Sequence, residues 1–153
     1  APGFQTRRGR IVIVVIPCGA KKLSHAAAAK DLYQGSLFQA CLGAARVLVP
    51  DGRIRVLSGR HGLVQLDQVL EPYEQRIDQP GAISPGAVRA QAEAQGLMGE
   101  SVVILAPSAY ARVASAVWPS AVQPLAGCRG IGEINGRLKR IRLGQMIVGC
   151  RAT

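Results

Sequence analysis

A cysteine followed by two lysines is the first group of residues that could carry chemistry. Cys18 comes directly after an apolar run that ends at Pro17, and Lys21 and Lys22 follow three and four positions later. Nearby positive charge stabilises a thiolate, so the segment predicts a nucleophilic Cys18. Two other interpretations stay open: Cys18 is a small packed residue before a turn, or the lysines hold a phosphate. The segment lacks the GxxxxGK[ST] and GxGxxG patterns of nucleotide-binding loops, which argues against the phosphate interpretation.

A second group surrounds a turn between two glycines. Residues 58–62 read Ser-Gly-Arg-His-Gly, and the glycines allow a sharp bend that presents Arg60 and His61 to a cleft. Glu71 and Tyr73 lie shortly beyond. An acid, an imidazole and a phenol that converge can perform general acid–base catalysis or hydrogen-bond the edge of a base. The alternative is that Glu71 only pairs with a nearby arginine and fixes the loop.

A third group is a basic segment near the end of the chain. A glycine-rich approach at residues 127–132 leads into a predicted helix at about residues 133–142. Such a segment can neutralise several phosphates, although a solvated helix face is the other interpretation. The candidate contacts to a nucleic-acid backbone are Arg137, Lys139, Arg140 and Arg142.

The composition indicates a globular protein with an anionic partner. The 153 residues fit one domain, and 48% hydrophobic with 18% charged residues excludes a disordered chain. Lysine and arginine number 19 against nine acidic residues, a formal charge of +10. This surplus favours nucleic acid as the partner, and we expect DNA rather than RNA.

The cysteines and histidines show no spacing typical of a metal site. The four cysteines form no CxxC pair, and neither histidine belongs to a metal-binding pattern. We therefore expect reduced thiols, no cofactor and catalysis without a required metal. No apolar run approaches the length of a membrane span, and residues 1–10 lack the apolar segment of a secretory signal, so the predicted location is cytoplasmic.

The elements that must position these groups follow from the apolar pattern. Residues 11–16 form a continuous β-branched run, typical of a central strand buried on both faces. Phe38 to Ala45 shows helical spacing, with Ser36 as a possible N-cap. Further strands are predicted at residues 53–57, 101–105 and 121–125, and further helices beginning at Ser84, running through residues 110–118, and at residues 133–142.

The alternation of strands and helices predicts a three-layer α/β/α domain. Its sheet should be mostly parallel, with four or more strands, and the domain should span residues 11–153. Residues 1–10, with Arg7, Arg8 and Arg10, are predicted to form a basic arm or tail. Sites in such sheets lie at the carboxyl ends of strands, which directs attention to the segments after residues 16, 57 and 105.

Five motifs run through most of the chain: PCGAKKL at residues 17–23, DLYxGSLF at 31–38, LSGRHGL at 57–63, LEPY at 70–73 and the glycine-rich stretch to residue 132. Together they resemble the YaaA-related group of small phage and bacterial proteins. The resemblance implies an α/β fold and a role at nucleic acid, since YaaA is regarded as a peroxide-stress protein that binds DNA. The first motif is also similar to the core domain of archaeosine synthase, which modifies a 7-deazaguanine base in tRNA. The group's fold is commonly compared with that of base-excising glycosylases.

The composition and the resemblance predict an enzyme that cleaves or exchanges the N-glycosidic bond of a modified or damaged base. In this hypothesis Glu71 activates water, and His61 protonates the leaving base. The remaining predicted contacts are a base stacked on Tyr33 or Tyr73, phosphates held by Lys21, Lys22 and Arg60, and a cleft wall that includes Ser58.

Two rival hypotheses come from other classes. A non-catalytic DNA- or RNA-binding stress protein would show strong salt dependence and would tolerate replacement of Glu71. A Cys18-dependent transferase acting on a base or nucleotide would be inactivated by alkylation of the thiol. Aromatic residues make up only 4% of the chain, which argues against a generic single-strand stacking platform.

Overall fold

The computed structural model describes residues 12–145. The helices and strands follow one another along the chain with short connections. In order they are β1 (Val12–Pro17), β2 (Ala27–Ala28), α1 (Ala29–Leu32), α2 (Ser36–Leu48), β3 (Ile54–Ser58), β4 (Gly62–Gln65), β5 (Val69–Leu70), α3 (Pro85–Ala94), β6 (Ser101–Ile104), α4 (Ser108–Val117) and α5 (Ile131–Arg142), with a single 3₁₀ turn at Asp51–Arg53.

Strand β1 lies at the centre of a four-stranded sheet with the order β4-β3-β1-β6. It pairs in parallel with β3 and with β6, so that Val14 is opposite both Ile54 and Val103. Strand β4 runs antiparallel to β3 at one edge. All six residues of β1 are buried, as the apolar run predicts for a strand covered on both faces. The predicted α/β class with a mostly parallel sheet is confirmed.

Helices cover both faces of this sheet. Alternate side chains of a strand point to opposite faces, and Val14 packs in one cluster with Phe38 of α2 and Leu138 of α5. Val15 packs in the other cluster with Val88 of α3 and with residues of α4. The molecule therefore has the three layers that the alternating pattern predicts.

The strand predicted at residues 121–125 is wrong. Only Val122 pairs there, as an isolated parallel bridge to Val103. Pro124 has no N–H to donate, so the ladder cannot continue beyond it. The fourth strand of the sheet is instead β4, which was not predicted from the sequence.

Local capping agrees with the sequence in one helix and differs in another. Ser84 caps α3, since its Oγ accepts a hydrogen bond from the N–H of Ala87 at 3.1 Å. Ser36 is not the N-cap of α2: it is the first helical residue, Gly35 precedes it, and no side chain caps this end. Helix α5 begins at Ile131, before the predicted residue 133.

Strands β1, β3 and β6 end at the same edge of the sheet because they are parallel. The segments that follow them therefore meet there, as expected for a site in this class of fold. The predicted basic arm, including Arg7, Arg8 and Arg10, lies outside the described residues. Among residues 12–145 no helix is both long and apolar enough to cross a membrane.

Candidate functional site

Cys18 and Tyr110 lie side by side at the carboxyl edge of the sheet. Cys18 follows β1 directly, and its N–H donates to the carbonyl of Leu57 at 3.2 Å, which extends the strand pairing by one residue. Its sulfur lies 3.2 Å from the hydroxyl of Tyr110, near the start of α4. Burial, with a smaller contribution from Cys18, raises the pKa of Tyr110. The phenol is therefore protonated at neutral pH and able to donate to the sulfur.

These two side chains belong to a cavity of about 440 Å³, here called the Cys18 cleft. This volume lies in the range of small-molecule sites. Tyr110 was not predicted from the sequence, because it is far from Cys18 along the chain. The lining residues are Cys18, Gly19, Ala20, Lys22, Glu74, Gln75, Arg76, Gln79, Pro80 and Tyr110.

Lys22 is held at one wall of the Cys18 cleft. Its Nζ donates to the carbonyl of Ala20 at 3.2 Å and lies 4.5 Å from the centre of the Tyr73 ring. Burial lowers the pKa of Lys22, and the nearby Cys18 and Glu74 partly oppose this shift. The ammonium is thus positioned by a cation–π contact and is more acidic than an exposed lysine. Lys21, in contrast, is exposed and does not line the cleft.

Three buried hydroxyl groups form a chain behind this wall. The Tyr73 hydroxyl lies 2.6 Å from the hydroxyl of Tyr33 and 2.6 Å from Oγ of Ser58. Tyr33 and Ser58 have no exposed surface, and burial raises the pKa of Tyr33 to about 12. The predictions that Tyr33 stacks on a base and that Ser58 touches the substrate are therefore wrong. Both residues hold Tyr73, which in turn supports Lys22.

The turn after β3 is shaped by Ser58 and by its two glycines. Oγ of Ser58 accepts from the backbone N–H groups of Arg60 and His61, at 3.2 and 3.0 Å. Gly62 has a φ of 73°, which favours glycine. A Cβ at Gly59 would collide with the backbone of residues 75–77. This close approach brings Gln75 and Arg76 to the Cys18 cleft.

His61 and Arg60 do not line the Cys18 cleft. The His61 ring contacts the edge of Tyr73, with ring centres 5.1 Å apart and planes at 89°. Burial, and secondly Arg60, lower the pKa of His61, so the ring is neutral at pH 7. The predicted role of His61 as the proton donor to a leaving base does not fit this position. The Arg60 side chain is exposed.

The acidic residue of the cleft is Glu74 and not Glu71. Leu70 pairs with Ala27 and is buried, and the following Glu71 points to solvent. Glu74 lines the Cys18 cleft and also a neighbouring cavity of about 280 Å³ beside Tyr73. The predicted acid, Glu71, lies inside the LEPY motif, whereas the residue directly after that motif reaches the cleft.

The basic residues of α5 separate into two kinds. Arg137 is half-buried, and its Nη1 donates to the carbonyls of Pro124 and Ala126 at 3.0 and 2.7 Å. Arg137 therefore holds a loop of the protein. Its guanidinium makes these contacts within the protein in place of the predicted contact with a nucleic-acid backbone. Lys139, Arg140 and Arg142 are exposed.

The residues of the site lie within one family match. Residues 13–140 match the profile of a family described as a family of unknown function, DUF6884. The chain belongs to the DUF6884 family. The match includes the loop after β1, the turn after β3, Glu74 and Tyr110, so the whole Cys18 cleft lies inside the DUF6884 domain. No curated protein matches the sequence. Within residues 12–145 the His, Cys, Asp and Glu side chains form no group of three or more that could hold a metal ion.

Proposed function

We propose that this DUF6884 protein acts on a base of nucleic acid and cleaves its N-glycosidic bond in the Cys18 cleft. One observation carries the proposal: the carboxylate of Glu74, the ammonium of Lys22, the thiol of Cys18 and the phenol of Tyr110 line one base-sized cavity. Such a cavity suits a base that has left the stack, since enzymes that act on bases extrude them into a pocket. The net charge of +10 supports an anionic substrate.

The cleavage uses Glu74 as the base and Lys22 as the acid. Glu74 accepts a proton from a water molecule, whose oxygen bonds to C1′ of the sugar. The N-glycosidic bond breaks, its electron pair leaves with the base nitrogen, and Lys22 supplies the proton that the base takes up. Because burial lowers the pKa of Lys22, its ammonium is a stronger acid than that of an exposed lysine. The net change is the addition of water across the bond.

Cys18 and Tyr110 bind the base in this scheme. The Tyr110 hydroxyl stays protonated, since burial raises its pKa, and it offers a hydrogen bond next to the thiol. A base that enters the cleft meets both groups at the end of β1. These contacts hold the base edge while Glu74 and Lys22 act on the bond.

The test compares the same Glu→Gln substitution at two positions, one inside the cleft and one outside it. Purified protein, Glu74→Gln and Glu71→Gln are incubated with phage DNA that carries modified bases, with unmodified DNA and with bulk tRNA. Mass spectrometry then detects released bases and altered nucleosides. We expect one substrate to release a base with the wild type and with Glu71→Gln, and at least a 100-fold slower release with Glu74→Gln, as for loss of a general base.

The same experiment can overturn the proposal. Equal turnover by the Glu74→Gln variant removes Glu74 from the mechanism. No mass change with any substrate, together with salt-sensitive retention of nucleic acid, identifies a binding protein without catalysis.

A second candidate function, base exchange through Cys18, is favoured by the contact between its sulfur and the Tyr110 hydroxyl. The sulfur would bond to C1′ as the first base leaves with the thiol proton. The nitrogen of a second base would then displace the sulfur, and its proton would return to the sulfur to restore the thiol. A mass increase on Cys18 during turnover, and loss of exchange in Cys18→Ala, would support this function. Unchanged turnover of Cys18→Ala would exclude it. Cys41 is a reference thiol, since burial raises its pKa to about 12.

A further inference from the structure

A second cavity lies on the other side of α4 from the Cys18 cleft. It has a volume of about 540 Å³ and is lined by Ser108, Ala111, Arg112 and Ser115 of that helix. These positions recur every three or four residues and share one helix face, whereas Tyr110 points from a different face into the Cys18 cleft. The start of α4 therefore separates two neighbouring cavities. We call the second one the Arg112 cavity.

The charged side chains that line the Arg112 cavity are both basic. Arg112 and Arg129 line it, and no aspartate or glutamate does. Within residues 12–145 neither guanidinium forms an ion pair, in contrast to Arg46 and Arg89, which pair with Asp51 and Glu93. Two unpaired guanidinium groups at one cavity favour a phosphate, which arginine binds with two parallel hydrogen bonds.

The floor of the Arg112 cavity is apolar. Leu37, Ile104, Leu125 and Ile134 contribute to it, and they come from α2, β6, the loop after Val122 and α5. Apolar side chains offer nothing to a bare inorganic anion, but they favour the ring of a sugar or base. The apolar floor and the arginine rim together fit a nucleotide, because a nucleotide has an apolar ring face and a charged phosphate.

The loop that carries the Arg129 side of the rim is held by hydrogen bonds within the protein. Arg137 donates to the carbonyls of Pro124 and Ala126, in the loop that precedes Arg129. The carboxylate of Glu133 accepts the backbone N–H of Arg129 at 2.8 Å. A preformed rim lowers the ordering cost of binding.

We propose that the Arg112 cavity binds a nucleotide through its phosphate, next to the nucleotide whose base enters the Cys18 cleft. The assignment of the neighbouring nucleotide rests on the proposed function, whereas the phosphate contact does not. A single strand that crosses the start of α4 occupies both cavities. Arg112 and Arg129 then position the strand and contribute affinity without reading its sequence.

The test measures binding of a fluorescein-labelled twelve-nucleotide single strand by anisotropy at several salt concentrations. The double variant Arg112→Gln/Arg129→Gln is compared with Arg46→Gln/Arg89→Gln, which removes the same charge from arginines that are already paired. We expect the first pair to weaken binding at least tenfold. Its salt slope should fall by about 0.7, since the cavity holds one phosphate and each single-strand phosphate contributes about 0.7. The control should change affinity less than threefold.

A mononucleotide separates the phosphate contact from the strand. Calorimetry compares a nucleoside 5′-monophosphate with its nucleoside, and binding that needs the phosphate and is lost in Arg112→Gln/Arg129→Gln supports the site. Equal effects of the two double variants on the labelled strand overturn it. Both arginines are exposed, and the single variants Arg112→Gln and Arg129→Gln repeat the test if the double variant fails to fold. These experiments measure binding and not turnover. The outcome for the phosphate contact is therefore independent of the outcome for the Glu74→Gln variant.

Discussion

The hydroxyl of Tyr110 contacts the sulfur of Cys18 at 3.2 Å, although the two residues are 92 positions apart. The contact follows from the sheet: β1 and β6 are parallel neighbours, with Val15 opposite Ile104, so the segments after their ends emerge together. The thiol of Cys18, after β1, and the phenol of Tyr110, in the helix after β6, therefore line the same cleft.

Replacing Tyr110 with Phe should slow the reaction of Cys18 with iodoacetamide. The substitution removes the hydroxyl that lies 3.2 Å from the sulfur, and a hydroxyl at this distance can donate to sulfur when the thiol ionises. We expect the alkylation rate of Cys18 at pH 8 to fall severalfold, measured by peptide mass spectrometry. Cys128, which is partly exposed, is the internal control in the same sample and should react at an unchanged rate. A faster reaction of Cys18 would show that the phenol shields the sulfur instead.

Loss of the Tyr73 hydroxyl should destabilise the fold. This hydroxyl bonds to both Tyr33 and Ser58 in a buried chain, and Tyr73→Phe leaves their polar atoms without this partner. We expect the free energy of unfolding in urea to fall by about 1–3 kcal/mol. A double-mutant cycle with Tyr33→Phe should be non-additive, because the two hydroxyls bond to each other. Additive losses would contradict a coupled chain.

The stability of the protein should depend on the protonation of His61. Burial and then Arg60 lower its folded-state pKa from 6.5, so the unfolded chain takes up a proton at higher pH than the folded one. The contribution of His61 to stability is therefore complete above about pH 6.5 and is lost as pH falls from there through the folded pKa.

Arg60→Gln should raise the pKa of His61, because it removes a nearby positive charge. An NMR titration of the imidazole resonances checks this directly, with His25 as the second histidine in the same spectrum. An unchanged His61 titration in Arg60→Gln would mean that burial alone lowers the pKa of His61.

Two arginines of α5 should respond differently to substitution. Arg137→Ala removes hydrogen bonds to the carbonyls of Pro124 and Ala126 and should lower the free energy of unfolding by about 1–3 kcal/mol. Arg140 is exposed, so Arg140→Ala should keep stability within about 0.5 kcal/mol. If α5 contacts phosphates, Arg140→Ala instead weakens binding of the labelled strand and lowers its salt slope. Thermal unfolding and anisotropy separate the two effects.

Strong local signals in the sequence predicted much of the fold. The β-branched run before Cys18 predicted the central strand, because a strand buried on both faces needs apolar side chains at every position. Ser84 predicted the start of α3, because its cap is a contact within one turn of chain. The strand predicted at residues 121–125 failed because Pro124, which has no N–H, ends the pairing after the single bridge between Val122 and Val103.

The sequence by itself determined the α/β class, the central strand and the location of the candidate site after the parallel strands. These properties depend on apolar periodicity and turn residues, which are local. Only the tertiary structure decided that Glu74 and not Glu71 reaches the Cys18 cleft, that Tyr33 and Ser58 are buried, and that Tyr110 meets Cys18. Such contacts join distant segments, and strand order and register, which set them, come from the packing of the whole sheet.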